Sequence, residues 1–490
     1  MKKLLSALLV MMMLVACMAP ALADEGSEPD WTHYDELIAE IKSTTDVVAR
    51  EALMHEAEDM LMETGAILPI YYYNDLYMQD SAVTNIYSNL FGYKFFMYAD
   101  KGDDTTLRVN LASEPDKLDP ALNSTVDGAS LAVNSFGGLY TYDAEGQLVP
   151  DFATGYTVSE DGLVYTFTLR DGLKWSDGSE LNAKDFEYTM KRIANPDVGA
   201  PYGETVVGMI EGYQDAIGNP DKNGKKTTKP DIDKLNVKAS EDGKTLTIKL
   251  AYPCSYFDKI VAFGTMSPVQ KATVEKNGDK WATKPETYVC NGPYMISEWT
   301  PGERIVCKKN PNYKGGWDNS KIVTEQLTFL LPEDSSASYT AYTSGQALMI
   351  KDVPTEEIPS LKKSTDGGDF YVDPILGTYY LSMNLNKAPF NNVNVRKALS
   401  LAIDREYIAN TIMQGTYSPA YNYVGPSIVD SGDGMFLDNA IAANGGSTYV
   451  SKDYQANLAE AKKALAEAGY PDGKGFPTIT YSTNDSGYHK

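Results

Sequence analysis

Asp151–Pro196, DFATGYTVSEDGLVYTFTLRDGLKWSDGSELNAKDFEYTMKRIANP, is the stretch whose reading decides the fold. It reads as two short strands, a turn and a helix. Tyr165-Thr166-Phe167-Thr168-Leu169 alternates β-formers at period two, between Gly162 and Gly172. Ser176-Asp177-Gly178-Ser179 is a turn cluster. Asn182 or Ser179 caps a helix that carries Phe186, Met190 and Ile193 on one face, and Pro196 stops it.

Around this stretch lie 490 residues, enough to bury several cores, so two or three lobes are expected. Hydrophobic content of 43% and charged content of 22% are those of a globular protein. A formal charge of -24 leaves no basic stripe to neutralise phosphates and argues against nucleic acid. Tyr outnumbers Phe, 34 to 14. A ring with a hydroxyl suits a wet, tolerant binding surface, although many such rings simply sit half-exposed in strands.

Residues 1–23 read as an export signal: Lys2-Lys3, an apolar run from Leu4 to about Val15, then small residues. The run is too short to span a membrane. Two cleavage readings stand. Leu14-Val15-Ala16-Cys17 is a lipobox pattern that would lipidate Cys17 and tether the protein. Ala21-Leu22-Ala23 before Asp24 is an ordinary signal peptidase site, preferred because Pro20 sits well for it. Either places the mature chain outside the cytoplasm, periplasmic or at the cell surface.

Helical patterns follow at Tyr34–Lys42 and, capped by Asp46, from Val47 to about Glu63, where Gly65 closes. Ile67-Leu68-Pro69-Ile70-Tyr71-Tyr72-Tyr73 is a strand. Thr106 to Ala112 is a strand leading to the rigid loop Ser113-Glu114-Pro115-Asp116-Lys117-Leu118-Asp119-Pro120. Further on, Ser335–Ser344 reads as helix, Thr378–Asn384 as strand, and Val393–Arg405 as helix. Asp453 caps a last helix, and Thr478–Ser482 starts a strand.

The organising stretch, the EPxxLDP loop (Glu114–Pro120), Asn291-Gly292-Pro293-Tyr294 and the VRxALxxAIDR helix (Val395–Arg405) together resemble the family-5 extracellular solute-binding proteins. These are the oligopeptide and dipeptide receptors of ABC importers. The resemblance implies an α/β, two-lobed periplasmic-binding-protein-like fold of type II with an extra subdomain in lobe I. It divides the chain into a signal peptide (1–23), lobe I (76–375, subdomain about 137–268) and lobe II (376–490). Trp31–Ala99, closing in Gly92–Ala99 (GYKFFMYA), resembles the family's C-terminal end, so 24–75 is expected as a displaced part of lobe II in a circularly permuted order. The family's next helix, strand pair and cleft-lining segment, with its usual aspartate for the ligand amine, has no counterpart here. A deletion, a misassembled frame or a chain continuing past Lys490 would each explain this.

The resemblance also implies the function: a monomer that closes by hinge motion over a peptide and delivers it to membrane permease subunits, with no cofactor and no chemistry on the ligand. Cleft contacts are implied at Ser113, Glu114, Tyr188, Tyr379, Tyr380, Asn384 and Asn484. It places Cys254 and Cys290 in one lobe as a candidate disulfide. Buried free thiols are the alternative, since Cys254, Cys290 and Cys307 make an odd count after export. Another solute (a sugar, a nickel-chelate or a heme) and a permuted relic without transport role remain alternatives.

Enzyme signatures are scarce. His33, His55 and His489 lie at no metal-ligand spacing and read as surface residues. No G-x-S-x-G occurs, and Gly218–Thr227 is a turn that only approaches a P-loop. Asp430, Asp433 and Asp438 read as a solvated loop.

Overall fold

A computed structural model describes residues 29, 31–110, 113–115, 117–221, 224–332, 334–363, 369–430 and 434–483. The export-signal stretch with Cys17, and Asn484, Asp433 and His489, lie outside them.

Two helices come first, α1 (Trp31–Ser43) and α2 (Val47–Thr64). The Asp46 carboxylate accepts from Ala49 N–H at 2.8 Å, and Gly65, at φ 61°, ends α2 in the left-handed conformation that glycine adopts freely. Leu37 and Ile41 bury against Ala57 between them. Next come β1 (Ile67–Gln79), β2 (Thr106–Asn110) and helix α3 (Val126–Ser135). The deciding stretch folds as β3 (Ala153–Val158), β4 (Val164–Leu169) and α4 (Ala183–Ala194). Asn182 caps α4, and Asp185 returns a bond to the Asn182 N–H at 3.0 Å, a reciprocal capping box. β5 (Val237–Ala239) and β6 (Thr245–Lys249) complete a four-stranded antiparallel sheet in the order β3-β4-β6-β5. Phe186, Met190 and Ile193 of α4 bury in the same core as Phe167, Leu246 and Ile248.

Strands β7 (Tyr294–Thr300), β8 (Arg304–Lys309), β9 (Gln326–Leu330), β10 (Met349–Ile350) and β11 (Phe370–Ser382) join the larger sheet. Its order is β7-β8-β9-β2-β10-β1-β11, with β12 (Ser418–Pro419) also paired to β1. β9 and β10 run parallel to β2, and the other pairs are antiparallel. Helices α5 (Val393–Leu401) and α6 (Tyr454–Glu467) follow β11 and pack on each other.

β1 and β11 form a long two-stranded ribbon from Ile67↔Ser382 to Met78↔Phe370. Its Met78 end pairs with β10 in the large body, and its Tyr71–Tyr72 part pairs with β12 in the small one. Register shifts at Pro69/Tyr71 and Tyr72/Asn74 bend the ribbon where it passes between them. The first helices are built into the body made by the last third of the chain. Buried Arg396 donates to the Thr64 carbonyl at 2.8 Å, and buried Arg405 donates to Pro69 and Ala420 carbonyls at 2.8 and 2.9 Å. Glu58 Oε1 accepts from the Tyr423 and Val424 N–H groups at 3.0 and 2.7 Å.

The structure departs from the sequence reading in four places. Thr478–Ser482 forms no ladder: no strand pairs with it among the described residues, and Ile479 and Tyr481 stay exposed. The Val393–Arg405 helix breaks after Leu401, because Asp404 caps a new turn by accepting from Tyr407 N–H at 2.9 Å. Cys254 and Cys290 form no disulfide; they and Cys307 are buried free thiols, and Cys290 Sγ instead lies 3.4 Å from the Tyr294 carbonyl. His55 is not a surface residue. Its ring stacks on Phe436 at 3.8 Å and lies 2.9 Å from Asp430, whose carboxylate is buried rather than solvated and also accepts from Asn439 at 2.8 Å.

Candidate ligand-binding site

Parallel pairing aligns the carboxyl ends of β2, β9 and β10: Leu330 stands opposite Asn110, and Met349 opposite Val109. In open α/β sheets such an edge is where ligands settle, because loops from several strands converge there. Ser113 follows β2, Asp334 follows β9, and Lys351 and Asp352 follow β10. Ser113 Oγ donates to Asp127 at 2.7 Å, at the start of α3. Burial, with Asp334 and Asp127 nearby, pushes the Asp352 carboxyl up to about 6. Glu114 is committed elsewhere. Its oxygens accept from Trp299 Nε1 at 2.9 Å and from Gly302 N–H at 2.6 Å, which ties the loop to the β7–β8 hairpin.

β11 is the last strand of the same sheet, and its outer edge has no strand partner among the described residues. An unpaired edge offers main-chain donors and acceptors to any extended ligand, whatever its side chains. Part of that edge is occupied: Leu376 N–H donates to the Leu90 carbonyl at 2.7 Å, and Thr378 Oγ1 to the Tyr423 carbonyl at 2.7 Å. Tyr379 stacks on Tyr71 at 4.8 Å with its hydroxyl 2.8 Å from that of Tyr481, and burial lifts its phenol to about 12. Tyr380 is 40% exposed, edge-on to Tyr423. Asn384 closes the strand end, its side chain accepting from Asn386 N–H at 3.2 Å.

Ser113 thus stands at the carboxyl edge beside Asp127, and Tyr379 and Tyr380 stand on the ribbon, with Glu114 and Asn384 turned to holding loops. Tyr188 is elsewhere. It lines a groove between α4 and the Lys271–Asn277 helix, 5.8 Å below the Lys271 ammonium, and no residue of β11 shares that groove. Asn484 lies outside the described residues.

Residues 147–490 match the family described as "Bacterial extracellular solute-binding proteins, family 5 Middle". The chain belongs to this family. It is 38% identical over 386 residues to the periplasmic oligopeptide-binding protein OppA of Salmonella typhimurium, covering 78% of this chain and 66% of that one. It is 32% identical over 364 residues to the probable deoxycholate-binding periplasmic protein YgiS of Escherichia coli, covering 74% and 63%. Among solved structures, Haemophilus influenzae OppA in complex with RPPGFSPFR superposes with a TM-score of 0.63 at 30% identity, covering 75% of this chain and 67% of that one. The E. coli murein tripeptide binding protein MppA gives 0.64 at 31%, covering 75% and 67%. The chain thus spans about two-thirds of the length of these family-5 relatives, which are substrate-binding transport proteins with two lobes.

Sequence reasoning missed one set of candidate residues. Phe91, Tyr93 and Phe263 line a cavity walled by the loop that touches β11, and Tyr93 and Phe263 with Tyr202 line a second hollow. The only signal was the aromatic density of Phe91–Tyr98, and that block lies far in sequence from Tyr202 and Phe263.

Proposed function

We propose that this protein is the extracytoplasmic binding component of an ABC importer, closing two lobes over an oligopeptide or dipeptide and handing it to permease subunits. The observation that carries the reading is the outer edge of β11, which has no strand partner among the described residues and belongs to the same sheet as the aligned carboxyl ends of β2, β9 and β10. Main-chain pairing there would hold a peptide irrespective of sequence, with Tyr380 and Tyr379 flanking it. The OppA relative solved with a bound nonapeptide supports the ligand class. The bent β1–β11 ribbon would serve as the hinge.

With this goes a domain assignment: signal peptide 1–23, lobe I 76–375 with a subdomain near 137–268, and lobe II from 376–490 plus the displaced 24–75. The antiparallel pairing of Ile67–Met78 with Phe370–Ser382 supports that permuted order. We further assign it as an exported monomer, processed either at Ala23 or by lipidation of Cys17, that does no chemistry on its ligand and needs no cofactor.

Isothermal titration with a defined pool of di- to nonapeptides, followed by native mass spectrometry of the complex, tests the reading. Saturable peptide binding at one site per chain is expected; absence of any bound peptide would overturn it. Two observations favour other readings. The name of the YgiS relative points to an amphipathic non-peptide solute, and the unpaired Thr478–Ser482 stretch suits a relic that no longer binds. Deoxycholate binding would support the first, and a low melting midpoint unmoved by any solute the second.

A further inference from the structure

A cavity of about 400 Å³ lies between the Asn89–Tyr93 loop, α3 and the segment Lys259–Gly264. That is within the size range of small-ligand pockets. Its walls are aromatic and aliphatic. Phe91 lies 5.7 Å from Tyr93 and 6.1 Å from Phe263, and Phe263 also meets Tyr202, which lines a second hollow, edge-on at 5.3 Å. Val133 and Ile260 supply the aliphatic part. Phe91 is left 37% exposed.

The aromatic loop is held rigid. Asn89 Oδ1 accepts from the Phe91 and Tyr93 N–H groups, both at 3.1 Å, and the Asn89 carbonyl accepts from Gly92 N–H at 2.9 Å, Gly92 itself being at φ 78°. Lys351 Nζ, at the carboxyl end of β10, donates to the Gly92 carbonyl at 3.1 Å. On the other flank the Leu90 carbonyl accepts from Leu376 N–H of β11. The loop that walls the cavity therefore also touches the edge on which a peptide main chain would lie.

We propose that this cavity is a side-chain pocket selecting peptides with one bulky aromatic or apolar residue. The inference rests on the peptide-binding reading and sharpens it from any peptide to a preferred class. An aromatic side chain removes about 150–250 Å² from water when buried, and edge-to-face rings add to that. No carboxylate lines the cavity among the described residues, and Lys259 is its one cation, so a lysine or arginine side chain would meet repulsion and desolvation there. Asn89 and Thr141 are its polar side chains other than hydroxyl-bearing Tyr and Thr205.

Calorimetric titration with trialanine, its three single-phenylalanine derivatives and its three single-lysine derivatives tests this on the full mature chain, with deoxycholate as a separate arm. At least one phenylalanine derivative should bind tenfold or more tightly than trialanine, and the lysine derivative at that position more weakly. Phe91→Ala, at an exposed position, should abolish that preference with the unfolding midpoint unchanged. Equal affinity for trialanine and every phenylalanine derivative, or a preference that survives both Phe91→Ala and Phe263→Ala, would overturn the pocket and leave the peptide reading standing. Binding of deoxycholate alone, or of no probe, would overturn both.

Discussion

Arg50 Nη1 donates to Ser255 Oγ at 3.0 Å, joining residues 205 positions apart, and its guanidinium lies 5.1 Å over the Tyr256 ring. Arg50 stands on α2 in the small body and Ser255–Tyr256 in the large one, so the contact bridges the two away from the ribbon. Opening about β1–β11 would break it. A hydrogen bond and a cation–π contact at a half-buried site contribute about 1–2 kcal/mol together. Arg50→Ala is expected to weaken ligand binding about 5- to 30-fold and to raise the radius of gyration measured by small-angle scattering, with the unfolding midpoint little changed. Identical scattering curves and affinities for the variant and the parent would refute the latch.

The ribbon carries a buried ion cluster. Lys94, 2% exposed, lies 2.8 Å from Asp75 and 3.5 Å over the Tyr77 ring, and Lys351 Nζ stands 3.5 Å from the other Asp75 oxygen. Burial lowers the Lys94 pKa, and Asp75 opposes that. Removing the carboxylate leaves two ammonium groups in a poorly solvated place, which destabilises by about 3–5 kcal/mol. Urea unfolding of Asp75→Ala should show that loss; a change under 1 kcal/mol would mean the cluster is better hydrated than its geometry implies.

Asp151 is fully buried, and that burial pushes its carboxyl up to about 7, against the opposing bonds from Gly316 and Gly138 and the nearby Arg170. Its folded pKa lies above the unfolded value near 4. The folded chain therefore binds the extra proton, and the stability this gives is present below about pH 4 and lost as pH rises through about 7. Asn at this position cannot ionise. The stability of Asp151→Asn relative to the parent should rise by up to about 1.4 kcal/mol per pH unit across that window. A pH-independent difference would contradict it.

Burial raises the thiol pKa of Cys254 and Cys307 and pushes Cys290 up to about 12, so none is thiolate at neutral pH. Chain cleaved before Asp24 should give no reaction with Ellman's reagent when native and three thiols in denaturant without reductant. A count of one would restore the disulfide.

Much of this protein was legible in sequence because the signals are local. Asp46, Asn182 and Asp453 cap helices where their side chains reach N–H groups two or three residues on. Gly65 stops α2 by its own backbone freedom. Tyr165–Leu169 pairs as a strand because alternation gave it a buried face, with Phe167 fully inside. Family membership followed from such blocks taken together. The site was less legible. Ser113 stands beside Asp127 at the sheet's carboxyl edge and Tyr379 and Tyr380 on the ribbon, while Tyr188 faces a groove that no residue of β11 lines, since helical periodicity gives a face and not what that face meets.

Sequence alone determined the capped helices at Val47, Ala183 and Tyr454, the Val164–Leu169 strand and the family, because each rests on contacts within a few residues. Only the tertiary structure decided that β1 lies along β11, that His55 holds Asp430, and that Thr478–Ser482, a good strand by composition, stays unpaired. It also decided that Phe91 and Phe263 share a cavity and that three cysteines remain thiols. A strand needs a neighbour and a pocket needs walls from distant segments, and neither is encoded in the residue that requires it.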